Sequence, residues 1–181
     1  SAEAYKNSQH PKTKEALLNP QKANSVYEQV LKIYQKTLSY QTYGDPEIRL
    51  DLANFIFFNT ENKNINPSLQ EKGFRFVIDE IKKSIKEHPE DARWYLFVAK
   101  LYQAYAQVKS SESQDNSELL KESEKFAREG IDLSPKKIAL QYILVQTLLM
   151  EEKYQEALER TKSLIDFYPE MPDTYWYLSL A

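Results

Sequence analysis

The chain has 181 residues, with 24 Lys and Arg against 27 Asp and Glu and a formal net charge of −3, so no overall positive field draws it to nucleic-acid phosphates. It contains no cysteine, which excludes disulfide scaffolds, thiolate zinc sites and cysteine nucleophiles. Its three glycines, Gly44, Gly73 and Gly130, stand too far apart for a phosphate-cradling loop. No apolar run reaches the ~18 residues of a membrane span, and the first residues lack the apolar core of a signal peptide.

Residues 1–23 are polar, hold Pro11 and Pro20 and offer only Ala16, Leu17 and Leu18 for burial, so partial order is expected there. From 24 to 40, Val26, Val30, Ile33, Tyr34 and Leu38 share one stripe of an amphipathic helix. Asp45-Pro46 then supplies helix-start chemistry ahead of Leu52, Ala53 and Ile56. A polar loop is expected from Asn59 to Pro67. Phe74, Val77, Ile81 and Ile85 mark the next helix, which Pro89 closes. Tyr95, Val98, Ala99 and Tyr102 follow, then a polar stretch from Lys109 to Ser117 that reads as a lengthened loop. Ala127 and Gly130 lie in the helix that ends near Pro135. Leu144, Val145 and Leu148 mark the following helix, and Tyr154, Ala157 and Leu164 the one after it, stopped by Pro169. Tyr175, Leu178 and Ser179 begin another.

The three helix-closing prolines carry a period. Pro169 lies 34 residues after Pro135, and Pro135 lies 46 after Pro89; the extra twelve are expected in the Lys109–Ser117 stretch. A period of 34, with small residues such as Ala157 where two helices approach, resembles the tetratricopeptide repeat. That resemblance implies an all-α fold, an antiparallel helix-pair solenoid wound as a right-handed superhelix of about seven to nine helices. Its units fall at about 24–45, 46–91, 92–137 and 138–171, with a partial one at 172–181. Tyr175, Trp176, Tyr177, Leu178 and Leu180 then lack a following helix, so either the natural chain continues or the last helix packs on another chain, which makes self-association an expectation.

In such a stack the concave groove is lined by first-helix residues, and the period selects Asn54, Arg93, Lys100, Gln103, Tyr142, Gln146 and Trp176. Long hydrogen-bonding side chains among aromatics suit capture of an extended peptide or a partner's helix; each is equally readable as an ordinary half-exposed helix residue. The carboxylate clamp of chaperone-binding tetratricopeptide domains is not matched, since the corresponding positions read Leu50, Asn54, Phe97, Ala139 and Ile143, and only the asparagine fits. Catalysis has little to work with. The histidines are His10 and His88, the latter beside a helix-ending proline where it complements the helix dipole, and no metal-ligand spacing exists. No cofactor and no metal are expected, and the chain is read as non-enzymatic. Most of the 13 tyrosines, Tyr95, Tyr102, Tyr154 and Tyr175 among them, fall on packing positions, which leaves Tyr142, Tyr177 and Trp176 for contacts.

Two stretches, residues 34–55 (YQKTLSYQTYGDPEIRLDLANF) and 132–137 (DLSPKK), together with residues 91–97 (DARWYLF), resemble the tetratricopeptide tail of bacterial O-antigen ligase or polymerase-like membrane proteins. The glycosyl-transfer chemistry of that family belongs to a multi-span membrane part, so no catalytic residue carries over. The resemblance implies an accessory domain tethered to a bacterial membrane, on a side it does not specify, that binds a protein or peptide. A free-standing cytoplasmic adaptor and a glycan-binding domain using tyrosines and Trp176 are the alternatives.

Overall fold

The computed structural model describes residues 11–111 and 114–180. Among the described residues there are nine helices and no strand: α1 (Pro11–Leu17), α2 (Ala23–Leu38), α3 (Asp45–Phe58), α4 (Pro67–Glu87), α5 (Ala92–Ser111), α6 (Ser117–Leu133), α7 (Ile138–Met150), α8 (Tyr154–Phe167) and α9 (Pro172–Leu180). Consecutive helices pack in pairs, as an all-α helical repeat requires. The chain forms two compact units, the first ending at Glu87 and the second beginning at His88.

In the first unit α2 buries Ala23, Tyr27, Val30, Leu31, Tyr34 and Leu38. The sequence pattern placed Val26 and Ile33 on that stripe; both are only half-buried, and Tyr27 and Leu31 take their place. The stripe is turned because α2 meets α1, α3 and α4, and its buried arc is wider than a single-partner seam. The Phe55 ring of α3 lies tilted 5.2 Å from that of Tyr27 and 6.2 Å from that of Tyr34. Gly73 lets α4 approach, since a Cβ there would overlap the Tyr27 hydroxyl and stand 2.9 Å from Ile56 Cδ1. Across the same seam the buried Arg49 guanidinium donates to Ser84 Oγ at 2.9 Å and Glu87 Oε2 at 2.5 Å, with Glu80 Oε2 3.5 Å from its Nε.

Within the segment 1–23, for which partial order is expected, residues 11–17 form α1 and a turn leads into α2; residues 1–10 lie outside the described residues. Leu17 is buried, and the carbonyls of Leu17 and Leu18 accept hydrogen bonds from the Asn62 and Asn64 amides, both 3.1 Å. Those asparagines belong to the α3–α4 connection, which is itself pinned by Gln70 Nε2 donating to the Asn59 carbonyl at 3.0 Å and by Ile65 in the core. The ordering force is side-chain amides satisfying helix-end carbonyls, a signal that hydropathy does not register.

In the second unit the repeat is visible as chemistry. Tyr95 Oη donates to the Pro89 carbonyl at 3.1 Å, Gln141 Nε2 to that of Pro135 at 3.1 Å, and Tyr175 Oη to that of Pro169 at 2.9 Å. Each bond joins a helix-closing proline to the residue six positions on, in the first helix of the next pair. Packing repeats likewise: α5 lies on α7 and α7 on α9, with α6 and α8 beside them. Surrounded on so many sides, α7 carries apolar residues around most of its circumference and buries Leu140, Ile143, Leu144, Val145 and Leu148. Gly130 of α6 admits Leu140 and Tyr95, either of which would lie 2.9 Å from a Cβ placed there.

The extra residues of the α5/α6 pair are mostly helix, which corrects the expected loop at Lys109–Ser117: α5 continues through Ser111. It has 20 residues against 13 in α7, and α6 has 17 against 14 in α8. Two of the tyrosines assigned to packing positions, Tyr154 and Tyr175, are instead about half exposed, at 51% and 47%. Both stand near the start of a helix, outside its buried stripe.

Candidate functional site

Three of the residues that the period selects, Tyr142, Gln146 and Trp176, lie on α7 and α9. Tyr142 and Gln146 are one turn apart and share a face of α7. Tyr142 Oη is hydrogen-bonded to Thr174 Oγ1 at 2.9 Å, and its ring lies 5.1 Å from that of Tyr177. The Gln146 amide donates to the Tyr177 hydroxyl. Tyr177 is buried on Val145 and Leu164, and burial pushes its phenol pKa up. Trp176 meets the Tyr177 ring edge-on at 4.9 Å and remains 57% exposed.

Each residue has a distinct role in this cluster. Tyr142 and Gln146 spend their polar atoms holding α9, so they position rather than present. Tyr177 is the keystone. Trp176, fixed from below and open above, is the group that a ligand can cover, with Tyr175 and Leu180, 48% exposed, on the same helix. An exposed indole seated on the edge of a buried tyrosine is a non-covalent contact surface of the kind enriched at interface anchors. It offers no nucleophile and no acid–base pair.

The other selected residues go elsewhere. Gln103 is buried, and its amide donates to Thr147 Oγ1 at 3.2 Å; the same hydroxyl donates to the Ile143 carbonyl and meets Ser123 Oγ at 3.0 Å. Gln103 therefore does not line a groove but satisfies a core network between α5 and α7, and burial without that partner would be costly. Arg93 folds back on Asp91, with its Nη2 2.6 Å from Oδ2, and the carboxylate also accepts the Arg93 backbone N–H at the start of α5. Lys100 is exposed on α5. Asn54 is exposed on α3, in the first unit. His88 is exposed in the turn before α5, where its carbonyl accepts the Asp91 N–H at 3.1 Å.

An ion cluster that the sequence did not reveal joins α6 to the α7–α8 turn. Glu124 accepts Lys153 Nζ at 2.6 Å and lies 2.6 Å from Arg128 Nη2, which also reaches Glu156. Burial raises the Glu124 pKa, but the bonds from Lys153 and Arg128 outweigh it and hold the carboxyl down at about 2. The neighbouring Glu151 is pushed up, by burial first and then by sharing the site with Glu124. These charges meet across two repeats, 29 residues apart in the case of Lys153 and Glu124, a spacing no local motif reports.

Among the described residues no group of three or more His, Cys, Asp or Glu is placed to hold a metal ion, and no helix is long and apolar enough to cross a membrane. Comparison of the chain with protein-family models, with curated proteins and with solved structures finds no match in any of the three.

Proposed function

We propose that this chain is a non-enzymatic protein-interaction module of tetratricopeptide type, which takes an extended peptide or a partner helix against the α7–α9 face. The observation that carries the reading is the exposed Trp176 indole seated edge-on against Tyr177, which Tyr142 and Gln146 fix in turn. Pre-ordering the anchor reduces the side-chain entropy lost on binding. We also propose, on the resemblance of residues 34–55, 91–97 and 132–137 alone, that the module is the accessory domain of a bacterial membrane protein of cell-surface glycan assembly. Retention of the native full-length protein in the membrane pellet after carbonate extraction supports that tether, and its release as a soluble species ends it.

The binding reading is tested by selecting peptides from a displayed random library against the whole chain. Affinities are then compared between the parent and Trp176→Ala. Because Trp176 is mostly exposed, the variant keeps the parent's circular dichroism and unfolding midpoint while affinity falls roughly tenfold or more. Unchanged affinity for every selected peptide overturns the assignment of this face. Tyr142→Phe separates positioning from contact: it loosens α9 and weakens binding less than Trp176→Ala does.

A further inference from the structure

We infer that the first unit carries a separate docking site, a cleft that accepts an acidic amphipathic peptide segment. The cleft, ≈580 Å³ in volume, opens between α1, the last turn of α3 and the α3–α4 connection, within the size range of specific ligand sites. Its floor is Leu17 and Phe55, 5% and 2% exposed; its shoulders are Leu18 and Phe58, 73% and 79% exposed. Two large apolar side chains held this far out on either side of one depression are costly surface for a chain to display. They do not enclose a small molecule. They offer a ledge on which one apolar side chain of a partner segment is gripped and its neighbours stay outside.

The wall is built rather than incidental. The Asn62 and Asn64 amides are committed to the Leu17 and Leu18 carbonyls, Asn62 Oδ1 accepts the Asn64 N–H at 3.1 Å, and Asn59 Nδ2 caps the Phe55 carbonyl at 2.8 Å. The amides that line the cleft thus fix its form, and recognition of charge falls to the rim. There Lys14 and Lys63 stand exposed against a single acid, Glu61. Neither lysine forms an ion pair within the described residues. A positive rim on a chain of net charge −3 is local, and it selects a segment whose apolar anchor is flanked by carboxylates, with electrostatics supplying specificity and approach rate. This site is independent of the α7–α9 face.

The test uses the whole chain and a short synthetic peptide with a Leu-Phe pair between glutamates, titrated by NMR alongside a control peptide with lysines in place of the glutamates. The acidic peptide shifts the resonances of Lys14, Leu18, Phe58 and Lys63, and its affinity falls as salt is raised. Phe58→Ser, which alters a side chain outside the core, weakens it roughly tenfold, as does the pair Lys14→Glu with Lys63→Glu, while Trp176→Ala leaves it unchanged. Equal binding of the lysine peptide, insensitivity to Phe58→Ser, or shifts confined to other surfaces overturns the proposal. So does saturation of the cleft by dodecanoate with no response to the acidic peptide, which assigns it to a lipid carboxylate instead.

Discussion

The hydroxyl of Tyr27 stands where a side chain at Gly73 would have to be. The contact joins the second helix to the fourth across a separation of 46 positions, and both residues are buried. Gly73 lies inside a 21-residue helix, where glycine is unfavourable by about 1 kcal/mol relative to alanine, so its presence there is explained by space rather than by backbone freedom.

Gly73→Ala follows from that contact. Overpacking against two helices costs about 1–3 kcal/mol and exceeds the helix-propensity gain, so the variant loses on the order of 1 kcal/mol net. Adding Tyr27→Phe removes the obstructing oxygen and makes the double variant more stable than Gly73→Ala alone. Urea unfolding midpoints of the three proteins measure both effects; equal midpoints for Gly73→Ala and its double variant refute the steric account.

Glu152 offers a change in the opposite direction. It closes α7 with φ of 60°, its N–H bonded to the Leu149 carbonyl at 3.1 Å while Lys153 N–H reaches Leu148 at 2.9 Å, the paired bonds of a glycine-type helix stop. A glutamate in the left-handed region is strained by roughly 1 kcal/mol. Glu152→Gly therefore raises stability by about that amount, seen as an increase in thermal midpoint, and a fall in midpoint contradicts the reading.

Acid sensitivity centres on Glu124. Its carboxyl is held down at about 2 in the folded chain, below its unfolded value, so it stabilises fully above the ordinary carboxylate range and that contribution is lost as pH falls toward 2. Glu151 is raised, so its contribution has the opposite sign: present at low pH and lost as pH rises through its folded value. Glu124→Gln lowers stability at pH 7 and flattens the loss between pH 7 and pH 3, whereas Glu151→Gln leaves pH 7 stability unchanged or higher. Denaturant midpoints at the two pH values decide it; equal effects of the two substitutions count against this assignment.

Helix existence was legible wherever apolar residues recur against a proline stop. Leu144, Val145 and Leu148 were read as core and each is fully buried. What the pattern could not give was direction and length. Tyr27 and Leu31 were missed because α2 has three helical partners, and hydropathy averaged over one stripe does not count partners. Gln103 was selected for the groove because polar residues at a repeat position look exposed; its partner Thr147 lies 44 positions away. The period selects Trp176 and Tyr142, yet the difference in their surroundings rests on Tyr177 and Thr174, which only packing reveals. The end of α1 is held by Asn62 and Asn64, far along the chain.

The lengthened α5/α6 pair has a consequence for how such a chain can change over time. Its 20-residue helix exceeds the 13-residue α7 by seven, and seven residues miss two full turns by only about 20°. The apolar stripe of α5 therefore runs on into the added turns still facing α6, whereas an added five residues would swing it by about 140° and bring the polar face to the seam. A length change near a whole number of turns keeps the stripe on its partner, and one far from it turns the stripe away. Residue count differs between the two pairs, and angular phase is what their packing keeps in common.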